Sequence, residues 1–353
     1  MKRFLFVGKI IATVLFAVVC LQGCGKLSYY SQSVVGHSKL MLARQPIDKA
    51  IAQSDGEIKR QLQLAVALRR FAVDTLALPD NRSYLSYVPL ERDYPVWSVV
   101  AAPEFSLKPQ RWCYPVIGCA AYRGYFSKSA AERYAQGLRE QGFETEVGGA
   151  IAYSTLGWFN DPLIPPMLRH GDAYLAQIMF HELAHQQLYV NGNSAFNEAF
   201  ATVVGEQGAL LWLQQYQPDK VSEYQQLMQV RNDFSALVKT TKQRLQTVYA
   251  SAQIDEHKRL EKAQVLAQMK TEHSVLQTQR WQGKAWYNSW FKQPVNNARL
   301  ASFATYRDLV PQFEALFLAC EQDFSRFYQT VALQKRQAKA AIVATQCVND
   351  PIE

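Results

Sequence analysis

The chain has 353 residues, 48% of them hydrophobic and 19% charged, enough apolar material to bury a substantial core and too much for a disordered polypeptide. Its formal charge of +8 is spread thinly, and no basic stripe interleaves with aromatic residues, which excludes a nucleic-acid-binding surface. Histidine and cysteine number six each, few enough for their positions to carry information.

In chain order, Lys2 and Arg3 precede an apolar run, Ile10 to Val19, that is too short to span a bilayer, and Leu21-Gln22-Gly23-Cys24 follows. Residues 1–23 read as an export signal, and the segment resembles a bacterial lipoprotein lipobox. That resemblance implies cleavage before Cys24, lipidation of Cys24, and a membrane attachment through the lipid. Gly25, in place of Asp, favours the outer membrane and a periplasm-facing location in the cell envelope. Loss of Lys2, Arg3 and Lys9 with the signal takes the formal charge from +8 to +5. Residues 24–353 are then expected to form one functional domain.

From Ile47 to Leu78, apolar residues including Ile51, Ile58, Leu62, Ala65 and Val73 recur with helical period, which predicts one amphipathic helix. Pro79 to Tyr94 is turn-rich. Short strands are expected over Val96–Ala102, Trp112–Val116, Phe143–Val147 and Ala150–Ser154, with Gly148-Gly149 as a hairpin signal between the last two. A helix over Ser127–Gln141, capped by Ser127 or Ser129, interrupts them.

A helix is next expected from Asp172 to Tyr189, carrying His181-Glu182-Leu183-Ala184-His185, and a second from Ser194, read as its N-cap, through Glu198. Residues four apart share a helix face, so His181 and His185 can offer two imidazole nitrogens to one metal while Glu182 stays free as a base. His185 and Glu198 both lie roughly 6–8 Å from the intervening turn at about 1.5 Å rise per residue. That matched depth lets Glu198 supply a third ligand. Two His and one carboxylate, with a fourth position open, form a catalytic rather than structural zinc set. One Zn2+ ion is therefore the expected cofactor, and a strand at Ala150–Ser154 would be an edge with which an extended peptide could pair.

Beyond this pair, residues 222–283 are rich in Gln, Lys, Arg and Glu with apolar residues at helical spacing, which predicts a long helical hairpin arm. Trp281 to Pro294 is an aromatic connector, and Asn296 to Val343 returns to helix with a break near Pro311. The fold class is thus predominantly helical α+β, with a small sheet preceding the metal helices. Setting Cys20 and Cys24 aside, sequence proximity favours disulfides Cys113–Cys119 and Cys320–Cys347, one of three connectivities.

Five segments carry a family resemblance: Cys113 to Phe126, Tyr153 to Pro162, His181 to Gln186, Phe196-Asn-Glu-Ala-Phe-Ala, and Asn296-Asn-Ala-Arg-Leu300. Together they resemble a bacterial family of predicted aminopeptidases, lipoproteins of gluzincin-like zinc peptidase type. The resemblance implies hydrolysis of peptide or protein substrates, with zinc on His181, His185 and Glu198 and with Glu182 as general base. Removal of N-terminal residues is implied by the resemblance alone. Gluzincins often place an acid one turn after the third ligand; Thr202 stands there, so Glu206, a turn further on, is the candidate to support a zinc histidine. A donor for the tetrahedral oxyanion is expected among Tyr153, Tyr306 and His170, with Tyr153 preferred. Two alternatives stand beside this reading: an endopeptidase with the same site, and a non-catalytic zinc-containing envelope lipoprotein that acts as a binding or assembly factor and would not need Glu182.

Overall fold

A computed structural model describes residues 29–114, 118–155, 159–304, 307, 309–337 and 345–348. The export signal, Cys24 and Tyr306 lie outside the described residues. Helix α1 occupies 29–42 and is followed by β1 (Gln45–Pro46), α2 (Ile47–Ala52), α3 (Gly56–Asp74) and β2 (Ser86–Tyr87). Strands β3 (Trp97–Pro103), β4 (Trp112–Tyr114), β5 (Gly118–Ala120) and β6 (Arg123–Tyr125) precede helix α4 (Lys128–Glu140) and strand β7 (Phe143–Gly149). The rest is helical: α5 (Pro165–Leu168), α6 (Asp172–Gln187), α7 (Ser194–Tyr216), α8 (Val221–Ala250), α9 (Asp255–Gln279), α10 (Asn297–Ala304), α11 (Val310–Ala319) and α12 (Phe324–Gln337). This is a predominantly helical α+β fold with small antiparallel sheets.

The largest sheet has the order β6-β3-β7, antiparallel throughout. Its central strand is apolar from Val99 to Ala102 because both faces are covered. Val99 and Ala101 pack with Ala131, Ala135 and Leu138 of α4, while Val100 and Ala102 meet Ala298 of α10 on the opposite face. Ser127 caps α4, its Oγ accepting from the Ala130 amide at 3.4 Å. Asn296-Asn-Ala-Arg-Leu300 stitches α10 to this sheet. The Asn297 side chain donates to the Pro103 and Glu104 carbonyls (3.0 and 2.8 Å), and Arg299 grips Glu146 with two bonds (3.0 and 2.8 Å).

Helices α8 and α9 form the expected hairpin, with a core of their own. Phe234 stacks on Tyr287 at 3.8 Å, and buried Trp281 donates through Nε1 to Asp233 at 3.0 Å. The arm is also fastened to the sheet: Arg259 forks onto Glu104 (2.7 and 3.0 Å), and Lys262 pairs with Glu144.

Several boundaries differ from the sequence expectation. The helix expected over Ile47–Leu78 is split, because Ser54-Asp55-Gly56 forms a turn in which Gly56 takes φ +51°, a left-handed conformation suited to glycine. Ala150–Ser154 is not a strand, and Gly148-Gly149 is not a hairpin. Both glycines lie inside β7, opposite Ser98 and Trp97, and a Cβ at Gly149 would fall within the Tyr94 ring. The chain makes one more bond, Ala150 N to Val96 O (2.9 Å), and then leaves the sheet as a loop. The expected break near Pro311 is present: α10 ends at Ala304, and the proline stands in the first turn of α11, where a helix needs no donor. Both disulfides are present, Cys113–Cys119 across the paired β4 and β5, and Cys320–Cys347 tying the end of α11 to the C-terminal segment. Among the described residues no helix is long and apolar enough to cross a membrane.

Candidate metal centre

The centre rests on α6, α7 and the turn between them. Asp172 opens α6 with a carboxylate that suits the positive end of the helix and is held by Arg60 at 2.7 Å. After α6 the chain turns through Gly192 at φ +79°. The cap of α7 is Asn193, one residue before the expected Ser194, with its side chain accepting from the Phe196 amide at 3.2 Å. Asn197 then clamps the turn, its side chain accepting from Val190 N and donating to Val190 O, both at 2.8 Å. This clamp fixes the depth of Glu198, the next residue. Further along, Gly205 lets the helices approach: a Cβ there would lie 2.7 Å from the Gln177 carbonyl oxygen and 3.1 Å from the His181 Cβ.

Three ligand atoms converge as a result. His181 Nε2 and His185 Nε2 are 3.2 Å apart, and Glu198 Oε2 lies 3.4 Å from the first and 3.7 Å from the second. A tetrahedral zinc with bonds of about 2.1 Å separates its ligand atoms by about 3.4 Å, so the set fits that ion. Burial alone would lower the His181 pKa, but the bonded Glu198 carboxylate outweighs it and the pKa is raised. Burial likewise pushes Glu198 up, and its bonds with His181 and His185 hold it down at about 2. The Nδ1 of His185 is buried without a partner among the described residues. Glu182 is also buried, and its carboxylate is not a member of the converging set.

A polar lattice that the sequence did not announce holds the C-terminal end of α6. Gln186, beside His185, accepts from the Asn81 side chain and donates to Ser83 Oγ and Asp161 Oδ2, both at 3.3 Å. Asp161 is wholly buried and accepts from the Thr155 amide (3.1 Å) and hydroxyl (2.7 Å); burial raises its pKa to about 6 against those bonds. Tyr84 is also wholly buried, at φ +62°, with a hydroxyl that meets no partner among the described residues. Burial first, and then the charges of Glu182 and Asp161, push its pKa well up. Non-glycine residues held at positive φ cluster at functional sites, but such a conformation leaves no mark in sequence.

Of the expected oxyanion donors, Tyr153 is hydrogen-bonded through its hydroxyl to His37 Nδ1 at 2.7 Å, and His170 is exposed and packs against Tyr174. Tyr122 and Tyr189, which the sequence did not single out, are the phenols within electrostatic reach of Glu198, while Tyr174 lies within reach of Glu182. The Glu206 carboxylate is engaged by Arg307 (2.7 Å) and Arg231 (3.4 Å), and it acts on His181 through its charge.

Fold and site together define a helical protein with a metal-ready His-His-Glu set and an adjacent buried carboxylate. The chain belongs to the family described as "Putative aminopeptidase", which it matches over residues 28–342. Neither a curated protein nor a solved structure matches it.

Proposed function

We propose that this protein is a zinc-dependent aminopeptidase that binds one zinc ion through His181, His185 and Glu198 and uses Glu182 as general base. The observation that carries this reading is the convergence of three ligand atoms at tetrahedral spacing, with a buried, uncommitted carboxylate on the same helix. Bound there, zinc would supply Lewis acidity toward water and toward the scissile carbonyl. Glu182 takes a proton from the attacking water and delivers it to the departing amine, so no covalent enzyme intermediate forms. His181, His185 and Glu198 keep the ion in place, and the lattice around Gln186 keeps their helix from shifting. Family membership supports a peptide substrate and the exopeptidase choice. An export signal over 1–23 and a lipid on Cys24 would place this activity at the outer membrane, facing the periplasm.

Metal analysis combined with a peptide library tests the proposal. One zinc per chain is expected in the wild type and in Glu182→Gln, with stepwise loss of N-terminal residues only in the former. General-base loss should lower turnover by about 10²–10⁴-fold. Full activity in Glu182→Gln would refute its role, and internal cuts would move the enzyme to the endopeptidases. Zinc binding without hydrolysis of any peptide would favour a binding or assembly factor.

A further inference from the structure

We propose that an aromatic-walled cleft beside the metal centre is a substrate subsite, which receives a bulky apolar side chain of the residue adjoining the scissile bond. This deepens the peptidase reading and rests on it.

The cleft has a volume of about 170 Å³ and lies between α1, the β4–β5 hairpin and the loop after β7. The rings of Tyr29, Tyr114, Tyr122, Phe126 and Tyr153 form most of its wall, and no residue lining it carries a formal charge. Two of its phenol contacts are internal to the protein. Tyr29 donates to the Tyr114 hydroxyl at 3.2 Å, and Tyr153 is bonded to His37. The wall thus offers mainly ring surface. A charged side chain entering it would shed water against ring surface and meet only hydroxyls among the lining residues, whereas an aromatic or branched aliphatic one would bury apolar area against rings. Pockets for whole ligands run to about 300–1,000 Å³, so this one suits a single side chain.

Its position relates it to the metal. At the start of β5, a Cβ on Gly118 would stand 3.7 Å from Asn191 Oδ1, within the turn that joins α6 and α7. The Tyr153 loop, on the other side, is tied through Thr155 and Asp161 to Gln186, next to His185. Tyr122 lines the cleft with 49% of its surface open. Burial, followed by the charges of Glu198, Tyr189 and Glu182 among others, pushes its phenol up to about 12. Exposed Phe159 continues the aromatic surface, its ring 4.8 Å from that of His37.

Two variants change the cleft without touching a metal ligand: Ala120→Trp fills it and Tyr122→Ala removes a wall. For each zinc-loaded protein, kcat/KM would be measured on matched peptides with Phe, Leu, Gly or Asp beside the scissile bond. Binding of phenylalanine and aspartate hydroxamates to the zinc-loaded Glu182→Gln form would be measured in parallel, with thermal unfolding as the check on folding. The wild type should prefer Phe and Leu over Gly and Asp by at least about tenfold, and the preference should collapse toward unity in Ala120→Trp. Hydrolysis without that preference, or with a preference indifferent to both variants, overturns the subsite and leaves the peptidase standing. No hydrolysis, but cleft-dependent binding of the phenylalanine compound, keeps the subsite and overturns the peptidase. Absence of both overturns both.

Discussion

Asp161 is wholly buried, yet its carboxyl titrates at about 6, above the ordinary 3.8, because burial outweighs the bonds from Thr155. A folded-state pKa above the unfolded one means that the protonated form is favoured by folding. Its contribution is therefore fully present below pH about 4 and is lost as pH rises through about 6. Relative to Asp161→Asn, the wild type should lose stability across that window by up to about 3 kcal/mol, at about 1.4 kcal/mol for each unit of displacement. Denaturant unfolding at stepped pH would show it, and a difference that stays flat with pH would remove the assignment. At this scale the candidate ligands were legible because two histidines fall four apart on one helix and Glu198 lies at matched depth across the turn. Tyr84, Asp161 and Gln186 were not, because their roles come from loops that meet α6 only after folding, and no periodicity encodes such a meeting.

Among the elements, α6 and α7 are held at close range by Gly205, whose missing side chain leaves room for the Gln177 carbonyl and the His181 Cβ. Gly205→Ala must move backbone to relieve a contact of 2.7 Å, so the helices should separate slightly and His181 should shift from its partners. Overpacking of this kind costs about 1–3 kcal/mol. We expect a lower thermal midpoint together with weaker zinc binding in a chelator competition; unchanged zinc affinity would show that the spacing is not set at this glycine. The helices themselves were readable from period and caps. The small sheet was read less well. Gly148-Gly149 looked like a turn because glycine pairs usually make one, but both lie inside a strand, where Gly149 clears space for Tyr94. Strands β5 and β6, each of three residues, are too short for alternation to register.

Across the whole molecule, Glu144 gathers three parts. It pairs with Lys262 of the arm, accepts from the Asn297 amide at 2.7 Å, and belongs to β7. Glu144→Ala should release the arm from the sheet without reaching the metal. Amide exchange in α9 should accelerate by an order of magnitude or more while zinc stoichiometry stays the same. Protection that is unaffected would mean that Arg259 and Glu104 hold the arm unaided. The arm was predicted from composition, but its attachment was not, since a charged helix face shows no partner in sequence.

The clamp of Asn197 on Val190 bears on the order of events during folding. All three candidate ligands lie on one helical hairpin closed by a short turn, whereas β3 depends on Asn297, which reaches Pro103 from 194 positions away. Short loops close sooner than long ones, so the ligand hairpin can form before the sheet is complete. In refolding with zinc present, pulsed amide exchange should protect α6 and α7 before β3, and simultaneous protection would contradict this. On a chain made from its N-terminus, the three candidate ligands could thus come together while the segment that completes the sheet has yet to follow.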